Sequence, residues 1–359
     1  MTHASETRDQ IGVLIVDDSA FMRTALSRMI GSDPDLNVLG TARSGAEALE
    51  RIGPLNPDVV TLDVEMPGLD GLQTLRRIMA QSPRPVIMVS AATVEDAETT
   101  FNALSAGAFD YVPKRLSSTS LDIAHIQADL IAKIKAAAHS RLPHSVPRKL
   151  AQSAAGLERD TFPHTPSIVA IGTSTGGPKA LQEILPLLTR DLSVPILIVQ
   201  HMPMGFTTPF ALRLNALCQV PIREAAHQEA IQAGTVYIAP AGIHMTVERH
   251  LDLRATICLS PHPENHLHIP SVDILMQSIA ATYHSLSMGV IMTGMGSDGV
   301  LGMKAIHREG GLTLGQDEAS CTVYGMPKAC AELGLLHRIV PLSQIPQQIM
   351  LATRARKRA

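Results

Sequence analysis

The chain has 359 residues, of which 45% are hydrophobic and 18% are charged, and its formal net charge is −3. This composition is typical of folded globular proteins, and the length is sufficient for two domains with their own cores. The small net charge excludes a strong overall attraction to nucleic acid or to a membrane surface.

Cysteine usage and hydropathy indicate a compartment. The four cysteines lie in the second half of the chain without CxxC spacing, which favours a reducing environment over a disulfide framework or a zinc site. The N-terminal stretch MTHASETRDQ is polar, and no apolar run reaches the roughly 18–20 residues that span a bilayer. We therefore expect a cytoplasmic protein with no nucleic-acid partner and no membrane insertion.

Residues 11–139 alternate short β-rich runs with amphipathic helical stretches. This order predicts a doubly wound parallel sheet of five strands, with the carboxyl ends of the strands at one edge. The predicted strands are GVLIV (12–16), NVLGT (37–41), DVVTL (58–62), PVIMVS (85–90) and FDYV (109–112).

Residues 140–165 lose this alternation and contain three prolines, and a second βα succession begins at Ser167. We therefore predict a first domain at 11–135, a linker at 136–165 that is partly helical near 148–158, and a second α/β domain at 166–355. The second domain is expected to contain a mainly parallel sheet.

Polar residues follow the predicted strands of the first domain: Asp17, Asp18, Asp63, Ser90 and Lys114. Clustered carboxylates repel one another and favour a cation such as Mg²⁺, and an aspartate beside it can act as a nucleophile toward phosphorus. Taken singly, an aspartate at a strand end is usually a helix cap, and a lone lysine is usually a solvated side chain. Their shared edge favours the phosphoryl site.

The motifs LIVDDSAFMR (14–23), LDVEMPGLDG (62–71), MVSA (88–91) and GAFDYVPK (107–114) resemble those of response-regulator receiver domains, which have a flavodoxin-like fold. The resemblance implies phosphorylation of Asp63 by a histidine kinase and a switch role for Tyr111. It also implies that Ser90 and Lys114 contact the phosphoryl group. The implied Mg²⁺ ligands are Asp17, Asp18, Asp63 and the backbone carbonyl of Glu65.

One residue departs from the receiver pattern. Receivers usually have proline after the lysine, whereas Arg115 follows Lys114 in this chain and Pro113 precedes it. A cis Lys-Pro bond is therefore impossible here, so this loop is expected to differ locally.

Three apolar strands of the second domain each lead into a residue of a serine-hydrolase triad. SIVAIG (167–172) leads to Ser174, VPILIVQ (194–200) to His201, and MGVIMTG (288–294) to Asp298. Strand ends of an open α/β sheet form its ligand crevice, so a nucleophile, a base and an orienting acid are expected to meet there. GTSTG (172–176) matches the G-x-S-x-G elbow, but the order Ser, His, Asp differs from that of α/β-hydrolases.

Simpler interpretations exist for each residue. The glycine-rich turn before Pro178 is equally compatible with a phosphate-binding loop, although a Walker lysine is missing. Ser174 alone predicts a helix N-cap, His201 a structural histidine, and Asp298 a cap for a helix starting near Gly299. Convergence on one sheet edge favours catalysis.

Six motifs in residues 166–355 resemble the protein-glutamate methylesterase domain of chemotaxis, the CheB family. The resemblance implies that Ser174 is the nucleophile, His201 the base and Asp298 its orienting acid, with backbone donors near Thr175 and Met295 as oxyanion-hole candidates. The motifs are IGTSTGGPKAL (171–181), QHMPMGF (200–206), YIAPAGIHM (237–245), PSVDIL (270–275), IMTGMGSDG (291–299) and QDEASCTVYGMP (316–327).

The resemblance further implies hydrolysis of γ-glutamyl methyl esters on chemoreceptors and deamidation of specific receptor glutamines, with no cofactor for the hydrolysis. Ile269 stands where the family often has arginine, which is expected to alter substrate contacts near His268. Two rivals are a phosphorylation-dependent adaptor with a decayed esterase domain and a hydrolase of other acyl substrates. The intact triad argues against the first rival, and the motifs beyond the triad argue against the second.

Overall fold

The computed structural model describes residues 10–90, 94–114, 120–140, 164–249, 254–264 and 266–354. The chain divides into two compact units, Met1–His144 and Ser145–Ala359. Most of the predicted linker, including the helix predicted near 148–158, and the bond from Lys114 to Arg115 lie outside the described residues. The linker and the exact domain limits stay predictions.

The first unit contains a five-stranded sheet in the order β2-β1-β3-β4-β5, and every pairing is parallel. This confirms the predicted doubly wound fold. The strands are β1 (Ile11–Val16), β2 (Leu36–Ala42), β3 (Val59–Asp63), β4 (Val86–Ser90) and β5 (Asp110–Pro113). The helices are α1 (Ala20–Ile30), α2 (Gly45–Leu55), α3 (Gly71–Gln81), α4 (Val94–Ser105) and α5 (Ser120–His139).

Local sequence explains how these helices begin. The side chains of Ser19, Ser44 and Asp70 accept hydrogen bonds from backbone amides in the first turns of α1, α2 and α3. Strands β3 and β4 are buried along their whole length, as expected of parallel strands covered on both faces. Helix α5 continues to His139, four residues past the predicted domain end at residue 135.

The second unit contains a seven-stranded parallel sheet in the order β14-β13-β12-β6-β7-β9-β8. Its strands are β6 (Ile168–Thr173), β7 (Ile196–Gln200), β8 (Ile222–Glu224), β9 (Val236–Ile238), β12 (Ser287–Ile291), β13 (Leu312–Gln316) and β14 (Arg338–Val340). Its helices are α6 (Gly177–Ile184), α7 (Thr207–Leu217), α8 (Val272–Tyr283), α9 (Val300–Arg308), α10 (Met326–Glu332) and α11 (Ile345–Thr353).

A separate antiparallel pair was not predicted. Strands β10 (His244–Arg249) and β11 (Ala255–Ser260) pair only with each other as named strands. Met245, Val247 and Ile257 from this pair join Leu275 and Ile279 of α8 in one buried core. The pair therefore covers α8 and helps to fix the helix against the large sheet.

The three strands that precede the predicted triad are neighbours. Strand β6 lies between β12 and β7, and both pairings are parallel. Their carboxyl ends therefore lie side by side at one edge. Among the described residues, no helix is both long and apolar enough to cross a membrane.

Candidate functional site

The first site lies at the carboxyl edge of the five-stranded sheet and brings together the predicted carboxylates and the predicted lysine. The Lys114 ammonium Nζ lies 2.5 Å from Asp63 Oδ2 and 3.1 Å from Asp17 Oδ2. Asp17 and Asp63 are buried, whereas Asp18 is exposed. One ammonium therefore faces two buried carboxylates.

Burial sets the charge balance at this edge. Desolvation raises the pKa of Asp63 to about 6, helped by the nearby charge of Asp17 and opposed by Lys114. Burial also disfavours the charged Lys114, but the two carboxylates outweigh it and raise the pKa of that ammonium. Lys114 thus stays charged, while Asp63 is costly to ionise without further positive charge.

The donor set fits a hard divalent cation. Carboxylate oxygens of Asp17, Asp18 and Asp63 lie within 4.8 Å of one another. Three carboxylates facing one ammonium leave an excess of negative charge, and oxygen ligands suit Mg²⁺. Asp18, Asp63 and Glu65 also line an open cavity of about 560 Å³, large enough for a hydrated ion and a phosphoryl group.

The other predicted phosphoryl contact lies at the end of β4. Ser90 is fully buried, and its hydroxyl accepts a hydrogen bond of 2.9 Å from the Thr100 hydroxyl on α4. Tyr111 is 3% exposed, and its ring lies beneath the Lys133 ammonium, 5.5 Å from the ring centroid. A movement of the Ser90 side chain would therefore act directly on α4 through its hydrogen bond with Thr100.

The second site lies where β6, β7 and β12 end. Ser174 is half-buried in the turn between β6 and α6, and its backbone amide donates to the Thr293 carbonyl at 3.0 Å. A Cβ on Gly294 would lie 2.9 Å from the Ser174 Cβ, so only glycine permits this approach. The serine turn and the loop that leads to Asp298 are therefore in direct contact.

His201 is oriented by Asp298. Nε2 of His201 lies 2.8 Å from Oδ2 of Asp298, and the carboxylate requires a donor, so Nε2 carries the proton. The opposite nitrogen, Nδ1, is buried and has no hydrogen-bond partner among the described residues. In this tautomer Nδ1 is a proton acceptor.

Asp298 receives four hydrogen bonds from residues that the structure describes. Besides His201, it accepts from the Ser271 hydroxyl at 2.9 Å and from the backbone amides of Val272 and Asp273 at 2.8 and 2.9 Å. Burial opposes ionisation, but His201 and the two amides outweigh it and hold the pKa of Asp298 well below its usual range. A fixed negative charge therefore faces the imidazole.

The helix-cap interpretations of Ser174 and Asp298 do not match the geometry. The N-cap of α6 is Gly176, without a side-chain hydrogen bond, so Ser174 is not its cap. Asp298 does not cap the following helix α9. It binds instead the free amides at the start of α8, a partner 25–26 residues earlier in the chain.

Two further side chains support the histidine and the serine, and sequence reasoning assigned neither a role. The His268 ring stacks on His201 with centroids 4.2 Å apart and planes 16° apart. Gln200, buried at the end of β7, donates its side-chain amide to the carbonyls of Ser174 and His201 at 3.1 and 2.9 Å. The available signals were that Gln200 opens the motif QHMPMGF (200–206) and that His268 lies two residues before PSVDIL (270–275).

The predicted oxyanion donors belong to the same turn and loop. The carbonyl of Thr175 accepts a hydrogen bond from the Thr293 hydroxyl at 2.9 Å, and Met295 follows Gly294 at the contact with Ser174. Gly176 has φ +75°, and a Cβ there would lie 2.4 Å from Thr322. The loop containing Thr322 thus packs onto the serine turn and holds the Thr175 segment in place.

Comparison with known proteins identifies both units. The family model described as "CheB methylesterase" matches residues 169–349, and that described as "Response regulator receiver domain" matches residues 13–125. A protein-glutamate methylesterase/protein-glutamine glutaminase of Oleidesulfovibrio alaskensis is 44% identical, with 95% of this chain and 99% of the relative covered. One of Symbiobacterium thermophilum is also 44% identical, with 95% and 97% covered.

A solved structure resembles the second unit. The crystal structure of the Thermotoga maritima CheB methylesterase catalytic domain is 35% identical, with a TM-score of 0.50. The match covers 52% of this chain and 98% of that chain. The likeness therefore includes nearly all of that domain.

Proposed function

This chain belongs to the CheB methylesterase family, and we propose that it hydrolyses glutamate methyl esters and deamidates specific glutamines on chemoreceptors. The proposal rests mainly on His201, whose Nε2 is bound to a buried anionic Asp298 while Nδ1 has no partner among the described residues. That arrangement supplies two features that a general base requires, an orienting acid and an unprotonated ring nitrogen.

The chain's residues support a two-step reaction. The Ser174 hydroxyl attacks the γ-carbonyl carbon and gives its proton to His201 Nδ1. This attack converts the carbonyl group into a tetrahedral oxyanion. Backbone amides near Thr175 and Met295 stabilise this oxyanion. The proton then passes to the leaving methoxide, or to the leaving amine of a glutamine, and methanol or ammonia departs.

Water completes the cycle. His201 accepts a proton from a water molecule that attacks the acyl-enzyme, and the same proton returns to the Ser174 oxygen as glutamate is released. Asp298 stabilises the imidazolium in both steps without itself becoming protonated. Ester and side-chain amide share the tetrahedral intermediate, so one triad serves both substrates.

We further propose that a histidine kinase phosphorylates Asp63 and that this regulates the hydrolase. Support comes from the juxtaposition of Asp63 with Lys114 and from the excess of carboxylates beside it. Asp17, Asp18, Asp63 and the Glu65 carbonyl would hold Mg²⁺, which supplies positive charge to the phosphoryl oxygens. Ser90 and Lys114 would contact those oxygens, and Thr100 and Tyr111 would relay the change.

The test of the hydrolase measures methanol release from methylated chemoreceptors. Wild-type protein is expected to release methanol, and Ser174→Ala to lose the activity by at least about a hundredfold while staying folded. Ser297→Ala, on the neighbouring loop, serves as the matched serine control. Wild-type rates in Ser174→Ala would refute the nucleophile, and no release by the wild type would refute the function.

The test of regulation compares the full chain before and after treatment with a small phosphodonor in Mg²⁺. Phosphorylation is expected to change the rate of methanol release, and Asp63→Asn to abolish both the phosphorylation and the change. Equal rates in the phosphorylated and unphosphorylated protein would contradict regulation and leave the hydrolase assignment untouched.

A further inference from the structure

The N-termini of helices α8 and α9 cap each other: each binds an aspartate carboxylate from the other. We call this arrangement the reciprocal cap. Asp298, just before α9, accepts from the amides of Val272 and Asp273 at the start of α8. In return, Asp273 in the first turn of α8 accepts through Oδ1 from the amides of Gly299 and Gly302 at the start of α9, at 2.9 and 2.8 Å. The start of each helix is thus held by an aspartate from the N-terminal end of the other helix.

The reciprocal cap provides hydrogen-bond acceptors for backbone amides that would otherwise be unpaired. The first amides of a helix have no partner within it, and their partial positive charge favours an anion. Gly299, the N-cap of α9, has no side chain to supply one. Asp273 fills that role from α8, and at 7% exposure its own charge depends on these amides.

Close packing of α9 against α8 makes the reciprocal cap rigid. A Cβ on Gly302 would lie 2.4 Å from Met276 Cβ and 3.3 Å from the Asp273 Cα, so α9 touches the backbone of α8. A Cβ on Gly299 would lie 3.0 Å from Val272 Cγ1, and its φ of +106° also favours glycine. The peptide segment from Asp298 to Gly302 therefore has little freedom to move away from α8.

We propose that Asp273 is a positioning residue for hydrolysis, which fixes Asp298 against His201 by binding the start of α9. This inference rests on the proposed function. Asp273 does not touch the reacting atoms and acts through the adjoining residues Asp298 and Gly299. Without its two hydrogen bonds, the start of α9 loses its anion, and the loop that carries Asp298 loses one of its anchors.

The chemical consequence falls on the imidazole. A displaced Asp298 holds the Nε2–H tautomer less well and stabilises the imidazolium less, so turnover falls. A carboxylate that moves away also favours the charged imidazole less, so the acid limb of the pH–rate profile moves to lower pH. Substrate binding is expected to stay unchanged because the hydrogen bonds of Asp273 go to Asp298 and to the start of α9.

The experiment uses the full chain and methylated chemoreceptors as the substrate. Asp273→Ala is expected to lower kcat about tenfold or more, to leave KM within about twofold, and to shift the acid limb to lower pH. Asp273→Asn keeps an oxygen acceptor for both amides and is expected to restore most of kcat. If Asp273→Ala does not fold, Asp273→Glu replaces it, since one more methylene displaces the carboxylate.

Ser278→Ala is the matched control in the same helix. Ser278 accepts from the Val247 amide at 3.1 Å, on the side of α8 that faces β10 rather than α9. The Ser278→Ala substitution is expected to lower the unfolding temperature without changing kcat or the acid limb of the pH–rate profile. An equal loss of kcat in Ser278→Ala, or an unmoved acid limb in Asp273→Ala, would overturn the positioning role.

The wild type and Ser174→Ala separate this inference from the proposed function. If the wild type does not release methanol from the methylated chemoreceptors, the proposed function and the inference both fail. If the wild type is active, Ser174→Ala is inactive and Asp273→Ala keeps wild-type kcat and pH profile, only the role of Asp273 fails.

Discussion

The imidazole rings of His201 and His268 lie face to face, with centroids 4.2 Å apart and planes 16° apart. His268 thereby covers one face of the ring whose Nε2 binds Asp298. The stacking adds a restraint on ring orientation to the hydrogen bond with Asp298, and it uses a residue from the segment between β11 and α8.

We expect His268→Ala to lower kcat about two- to tenfold, because a stacked pair contributes about 0.5–1.5 kcal/mol. His268→Phe preserves a flat ring and should retain more activity than alanine. His266→Ala is the control, since His266 is exposed, lies on the same segment and contacts His244 instead. The rate of ester hydrolysis is measured for each of the three variants. Wild-type kcat in His268→Ala would show that the stack has no effect on turnover.

Asp298→Asn should lower kcat by at least about a hundredfold, because an amide can present its NH₂ to His201 and favour the wrong tautomer. It should also destabilise the protein by about 1–3 kcal/mol, since two helix amides lose a charged acceptor. Kinetics and chemical denaturation measure the two effects. Asp317→Asn, which removes the carboxylate that caps another turn, should leave kcat unchanged. Full activity in Asp298→Asn would contradict the orienting role.

Asp63→Asn should stabilise the metal-free protein in a pH-dependent manner. The pKa of Asp63 in the folded protein, about 6, lies above the ordinary aspartate value of 3.8, so ionisation of Asp63 costs stability. The cost is absent below about pH 4, grows as the pH rises to about 6, and is then constant at up to about 3 kcal/mol. Asparagine mimics the protonated acid and avoids this cost. Unfolding temperatures in EDTA from pH 4 to 8 measure it, and a pH-independent difference would contradict the burial argument.

Removal of Mg²⁺ with EDTA should abolish phosphotransfer from a small phosphodonor to Asp63, because the carboxylate excess then repels the phosphoryl anion. Asp18→Asn should raise the Mg²⁺ concentration needed for half-maximal labelling. Asp70→Asn is the control, since Asp70 lines the same cavity but caps α3. Labelling that is independent of Mg²⁺, or an equal effect of the two substitutions, would contradict the ligand assignment.

Much of the fold and of the two candidate sites could be predicted from the sequence, because local sequence patterns encode them. Alternating apolar strands and amphipathic helices gave both sheets, and parallel strands align their carboxyl ends, so Asp63 was expected near Lys114 and Ser174 near His201. The pair β10 and β11 was missed because six-residue polar–apolar runs resemble edge strands of the main sheet. The catalytic roles themselves stay predictions until the substitutions are measured.

The sequence by itself determined the two α/β folds, the family, and which side chains are available at each sheet edge. Only the tertiary structure decided which nitrogen of His201 faces Asp298, that Asp298 binds the start of α8 rather than α9, and that His268 stacks on His201. These contacts join residues 25–97 positions apart through helix N-termini and ring faces. Helix amides and aromatic faces accept many partners, so local sequence cannot specify which partner packing brings within reach.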